Sequence, residues 1–223
     1  MKNFVWILSS IVLSASVKAQ ELRATSEVDI KAGSEIAQKG TSSGVAACIA
    51  CHGPQGEGNA VGGFPRLAGL PHFYMVEQLK DYSSGVRTNE VMAPIAKMLT
   101  DTERANVSAY YESLTSNPIK PAKKSAASVI KRGETLAKIG DQKLQLQACN
   151  NCHGPGGVGM APAIPALNGQ LGVYIESQLT SWKDGKRKNS PTQMMGIAQK
   201  LSDADIKALA AYFEQAPRKL VKK

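Results

Sequence analysis

Two short stretches carry all four cysteines of this 223-residue chain: ACIACHGPQGEG from Ala47 to Gly58 and ACNNCHGPGGVG from Ala148 to Gly159. Each sets two cysteines three apart, a histidine directly after them, and then a Gly-Pro break. At an offset of about one hundred residues, much of the flanking sequence also comes into register. Gly33 to Gly40 lies over Gly133 to Gly140, and FPRLAG (64–69) lies over IPALNG (164–169). Tyr74, Gln78, Leu79, Gly85 and Arg87 meet Tyr174, Gln178, Leu179, Gly185 and Arg187. A two-residue insertion then places Met92 over Met194, Thr100 over Ser202 and Tyr110 over Tyr212. Self-similarity at one fixed period means a single folding unit used twice, which excludes one large domain.

The unit is helical. Met75, Leu79 and Tyr82 fall at i, i+4 and i+7 ahead of Gly85; Ile175, Leu179 and Trp182 repeat this ahead of Gly185. That spacing builds one apolar helix face, and glycine is a common helix stop. Thr100-x-x-Glu103 and Ser202-x-x-Asp205 are capping-box signatures that open a last helix in each half. No segment alternates as a strand does, so the expected fold class is all-α: two tandem modules, 20–115 and 129–223. Between them SNPIKPAKKSAAS, with two prolines and no apolar period, reads as an extended linker over 116–128.

The first residues, MKNFVWILSSIVLSASVKAQ, have the charged start, short apolar run and small-residue exit of a secretory signal. Cleavage near Ala19, removing residues 1–19, leaves 204 residues outside the cytoplasm. Charge is divided unevenly along them: 20–116 is net −3 and 126–223 is net +7. An exported chain without a nucleic-acid motif has no use for nucleic acid. The basic half instead points to a redox protein partner or to peripheral contact with an anionic membrane.

Three readings fail to account for the paired motifs. A redox dithiol uses Cys-x-x-Cys but leaves the histidines unexplained, and it belongs on a fold with strands. A zinc ion held by all four cysteines would tie the two modules to one metal and leave both histidines idle. A disulfide across two intervening residues constrains little. Covalent haem attachment uses every residue. Two cysteines three apart on a helical turn each reach one vinyl group, and the next residue faces the iron. Cys48 and Cys51 are thus expected to hold one haem c, with His52 as its axial ligand. Cys149, Cys152 and His153 are expected to hold a second. A buried porphyrin also supplies core to modules in which aromatics make up only 5% of the chain.

With both motif histidines used, only His72 remains, so bis-histidine ligation of both irons is excluded. Among the methionines only Met92 and Met194 coincide between the halves, 40 and 41 residues after His52 and His153. They are the expected sixth ligands, with Met98 and Met195 next in line; Met75 belongs to an apolar stripe. Pro65 and Pro165, 13 and 12 residues after the histidines, read either as plain turn prolines or, the favoured reading, as offering a carbonyl to each imidazole. Arg87 and Arg187 suit either haem propionates or a solvated basic face. Tyr82 and Trp182 read as core, and His72, opposite Gly172, reads as surface.

These residues, ACIACHG…FPRLAG…EQLKDYSSGVRTN…VMAPIAKMLT and ACNNCHG…IPALNG…SQLTSWKDGKRKN…MMGIAQKLS, resemble the dihaem cytochrome c4 family. The resemblance implies two cytochrome c-like domains packed about a pseudo-twofold axis, each wrapped around one haem with His/Met ligation. It further implies a periplasmic one-electron carrier in a respiratory chain, not an enzyme, passing electrons toward a terminal oxidase. A dihaem subunit of a dehydrogenase complex is the alternative, and a dihaem peroxidase a more distant one, since it must free one iron for peroxide. The lysine-bearing linker and the basic tail Arg218–Lys223 depart from the family pattern and bear on how closely the domains dock. Positive surroundings favour ferrous iron, so the C-terminal haem is expected to have the higher potential.

Overall fold

A computed structural model describes residues 28–115 and 125–216. The signal segment, most of the linker and the basic tail lie outside the described residues. The first module contains α1 (Ile30–Lys39), α2 (Ile49–His52), α3 (His72–Ser84), α4 (Met92–Met98) and α5 (Asp101–Ser113). The second contains α6 (Ala127–Lys138), α7 (Asn150–His153), α8 (Gly172–Lys183), α9 (Gly196–Ala198) and α10 (Asp203–Gln215). Ala127 and Ser128, which read as the end of the linker, form the first turn of α6. Among the described residues there is no strand, only isolated bridges, so the fold is all-α.

Both capping boxes form. The Thr100 hydroxyl accepts the Glu103 N–H at 3.2 Å, and the Glu103 carboxylate accepts the Thr100 N–H at 2.8 Å. Ser202 and Asp205 exchange the same pair at 3.1 and 3.2 Å. Each box satisfies donors that a helix start leaves unpaired, worth about 1 kcal/mol.

In each module the first and last helices cross, α1 on α5 and α6 on α10. Glycine permits the crossing: a Cβ on Gly33 would fall on the Asn106 carbonyl, and one on Gly133 on the Ala208 carbonyl. Below the crossing, Ile36, Met75, Val107 and Tyr111 fill one core, and Leu136, Ile175, Leu209 and Phe213 fill the other. The loop after each haem motif is tied to the last helix, where Gly69 N–H reaches the Tyr111 carbonyl at 2.7 Å and Gly169 N–H the Phe213 carbonyl at 2.8 Å.

The modules dock through buried polar groups. Arg87 and Arg187 face each other in an antiparallel bridge, at 3% and 4% exposure. Each guanidinium reaches both glutamines of the pair. Arg87 donates to Gln78 at 2.9 Å and Gln178 at 2.6 Å, and Arg187 to Gln178 at 2.9 Å and Gln78 at 2.7 Å. Arg87 also donates to the Tyr174 hydroxyl at 2.8 Å. Arg87 stacks over Tyr82 and Arg187 over Trp182, at 4.5 and 3.7 Å from the ring centres. The solvated-face reading of the two arginines is thereby overturned, because both are walled in by aromatic rings and amides from two modules. Close docking holds although the linker departs from the family pattern.

Candidate haem sites

The Cys-x-x-Cys-His motifs sit on the one-turn helices α2 and α7. Such short helices survive because their backbone is tied outward: Gly58 N–H bonds the His52 carbonyl and Gly159 N–H the His153 carbonyl, both at 2.7 Å. None of the four cysteines is joined to another in a disulfide. Burial raises the Cys48 thiol and pushes the Cys149 thiol up to about 11. Among the described residues no three His, Cys, Asp or Glu side chains gather as a metal site, which removes the zinc reading.

His52 and His153 are buried, and each Nδ1–H donates to a proline carbonyl: Pro65 at 2.8 Å and Pro165 at 2.9 Å. A carbonyl can only accept, so the proton is on Nδ1 and the lone pair is left on Nε2. Burial lowers both imidazole pKa values, against an opposing pull from the proline bonds, which keeps the rings neutral and ligand-competent.

In the second module Cys149, Cys152, His153 and Met194 line one cavity of about 770 Å³. Met195 does not line it and packs on the core beside it. Met194 thus shares with His153 a cavity that Met195 does not line, though both methionines pack on the core. In the first module Met92 opens α4, its N–H held by the Asn89 side chain at 2.8 Å, while Met98 is 41% exposed. Met75 is core, as its stripe implied. Tyr82 and Trp182 are buried, and the Trp182 indole N–H is committed to the Asn189 carbonyl at 2.9 Å. His72 is half-buried rather than on the surface, with Nε2 lacking a partner.

Charge supplies a test of whether haem fits. Arg66, Arg87 and Arg187 are all at least nine-tenths buried, yet none is paired with a carboxylate among the described residues. Arg66 keeps Nε and Nη2 without a partner, while Nη1 donates to the Gly169 carbonyl at 2.9 Å. Three buried cations without anions are costly. Two haems bring four propionate carboxylates, so the residues present fit the group. Burial works to raise the Tyr174 phenol pKa, but the two guanidiniums outweigh it and hold it below the ordinary range.

Sequence reasoning missed Arg66, Gln170, Asp81 and Asn189. Gln170 accepts the Arg66 N–H at 2.9 Å and donates back to the Arg66 carbonyl at 3.0 Å, joining the modules. The signal was present where the aligned copies differ, Arg66 over Ala166 and Leu70 over Gln170.

Residues 30–115 match the cytochrome c family model, and residues 137–213 match that of cytochrome c oxidase, cbb3-type, subunit III. A thiosulfate dehydrogenase electron acceptor of Stutzerimonas stutzeri (strain A1501) is 36% identical over 222 residues, 98% of either chain. The structure of reduced cytochrome c4 from Pseudomonas stutzeri superposes with a TM-score of 0.73 at 31% identity, covering 86% of this chain and all of that one. The thiosulfate dehydrogenase of Marichromatium purpuratum superposes with a TM-score of 0.78 at 38% identity, covering 84% of this chain and 40% of that chain. With one haem c bound through Cys48 and Cys51 and another through Cys149 and Cys152, this electron carrier belongs to the dihaem cytochrome c4-like family.

Proposed function

We propose that this chain is a periplasmic one-electron carrier that accepts electrons from a thiosulfate-oxidising dehydrogenase and passes them toward a terminal oxidase. The kinship with proteins named as thiosulfate dehydrogenase electron acceptors supports the donor. The observation that carries the carrier role is the pair of haem sites joined through one buried interface, so that a single molecule holds two docked redox centres. The signal-like start supports the compartment, and the basic half supports docking on an acidic oxidase or an anionic membrane.

His52 with Met92, and His153 with Met194, are the proposed axial pairs. When bound, each haem supplies an iron that gains or loses one electron, and methionine ligation raises its potential. The Pro65 and Pro165 carbonyls fix the ring orientations. Arg66, Arg87 and Arg187 supply positive charge for the propionates without help from solvent. With both irons coordinatively filled there is no open site for peroxide, so the chain is read as having no catalytic activity of its own.

Rapid mixing of the oxidised protein with thiosulfate and a thiosulfate dehydrogenase tests the donor. Both haems are expected to be reduced within the enzyme's turnover time, and more slowly as salt rises. No reduction by that enzyme rejects the donor. A permanent dehydrogenase subunit is the second reading, favoured by this chain's covering 40% of a longer thiosulfate dehydrogenase chain. Stoichiometric co-purification with a catalytic chain would select it.

A further inference from the structure

The cavity around Cys149, Cys152 and His153 is not walled by its own module alone. Leu70, Tyr74, Gln78 and Asp81 of the first module line it too. Asp81 is the one carboxylate among the lining residues. Its Oδ2 accepts the Asn189 Nδ2–H at 2.7 Å, and the Asn189 Oδ1 accepts Arg187 Nε–H at 2.8 Å, so the carboxylate is held on the second module by a directed chain of bonds. The aligned position in the second copy is Ser181, which carries no charge.

We propose that Asp81 of the N-terminal module is a tuning residue for the C-terminal haem, lowering its reduction potential across the domain interface. Reduction removes one positive charge from an iron site, so a fixed negative charge nearby favours the ferric state. The effect grows as distance shortens and solvent is excluded, and Asp81 stands on the cavity wall, half-buried, with its carboxylate held by Asn189. The duplication sets the direction of the asymmetry. Ser181 gives the N-terminal haem no matching charge, so this one substitution between the copies acts mainly on the C-terminal midpoint. This opposes the overall charge of the C-terminal half, which by itself would raise that haem's potential. The inference rests on the haem at Cys149–His153 and is independent of which enzyme donates.

The test is a redox titration of the full dihaem protein, with each haem followed by its own NMR-resolved methyl resonances. Asp81→Asn keeps the shape and the acceptor for Asn189 but removes the charge. It is expected to raise the C-terminal midpoint more than the N-terminal one, and to keep most of that shift in molar salt, since a half-buried charge is only partly screened. Asp81→Glu, which keeps the charge, is expected to stay nearer the unmodified value. Ser181→Asp is expected to lower the N-terminal midpoint. An N-terminal haem that moves as far in Asp81→Asn, midpoints that do not move, or a shift erased by salt each overturns the proposal. If Asp81→Asn fails to hold its haems, an unmoved N-terminal midpoint in Ser181→Asp overturns it instead.

Discussion

The two modules reach their aligned methionines, Met92 and Met194, by different backbones. In the first, Asn89 Oδ1 accepts the N–H groups of Val91 and Met92, at 3.0 and 2.8 Å, and the chain runs directly into the seven-residue helix α4. In the second, the two inserted residues are wound into a π-helical turn, Pro191–Met195, and the helix that follows is only three residues long. Ser190, left-handed at φ 79°, takes over the capping and accepts the Met194 N–H at 3.3 Å. The extra residues have gone into local winding, as π-turns often do at functional sites. The exchange has a second consequence. Asn189, aligned with Asn89, no longer caps and instead bonds Gln78 at 2.9 Å and Asp81 at 2.7 Å in the other module. A duplicated fold has kept its haem machinery symmetrical and specialised at the interface.

The largest expected effect breaks the symmetry outright. Replacing Cys149 and Cys152 together with serine should lower haem content from two to one per chain, measured as haem absorbance against protein. The second module, short of core, should lose its helical signal while the first keeps its own. Next in size, Met92→Ala and Met194→Ala should each abolish about half of the near-infrared band of sulfur-ligated ferric haem, and lower the potential of that haem alone. Met98→Leu and Met195→Leu should leave both unchanged; a band lost in either would move the ligand assignment.

The helix crossings allow a like-for-like comparison. Gly33→Ala and Gly133→Ala both drive a Cβ into backbone, so each should cost about 2–3 kcal/mol in denaturant unfolding of its own module. A much smaller loss in one copy would mean that its crossing can open.

The smallest effect is a pH dependence confined to one copy. Arg132 bonds Asp141 at 2.9 Å and Asp205 at 2.7 Å, whereas the first module has Ala32 and Thr41 where Arg132 and Asp141 stand. Burial works to raise the Asp205 pKa, but the bonds from Arg132 and Ser202 hold it below its ordinary 3.8, and Arg132 lowers Asp141 in the same way. A carboxylate whose folded pKa is depressed contributes stability that is present above the unfolded value and lost as pH falls through the folded one. The second module should therefore lose stability preferentially below pH 3.8, read from haem-resolved acid unfolding. Arg132→Ala should remove that difference.

Much of the fold was legible in the sequence because its determinants are local. The capping boxes at Thr100 and Ser202, the apolar spacing of Met75, Leu79 and Tyr82, and the glycine stops act within one or two helical turns. The Cys-x-x-Cys-His pattern also works within one turn, and it specifies its cofactor by chemistry alone. The proline carbonyls were found from near-equal spacing, 13 and 12 residues after the histidines, together with the family resemblance. Asp81, Asn189, Arg66 and Gln170 were not found, because each acts on a partner about 104 to 108 residues away and carries no local signature.

By itself, the sequence determined the duplicated helical unit and the two covalent haem attachments, since neighbouring residues can do these things only in one way. Tertiary structure alone decided that Arg87 and Arg187 are buried partners rather than a solvated face, and that a carboxylate of one module lines the cavity of the other. The physical reason is that burial and pairing of charge are properties of surfaces brought together, and residue spacing does not say which surfaces meet.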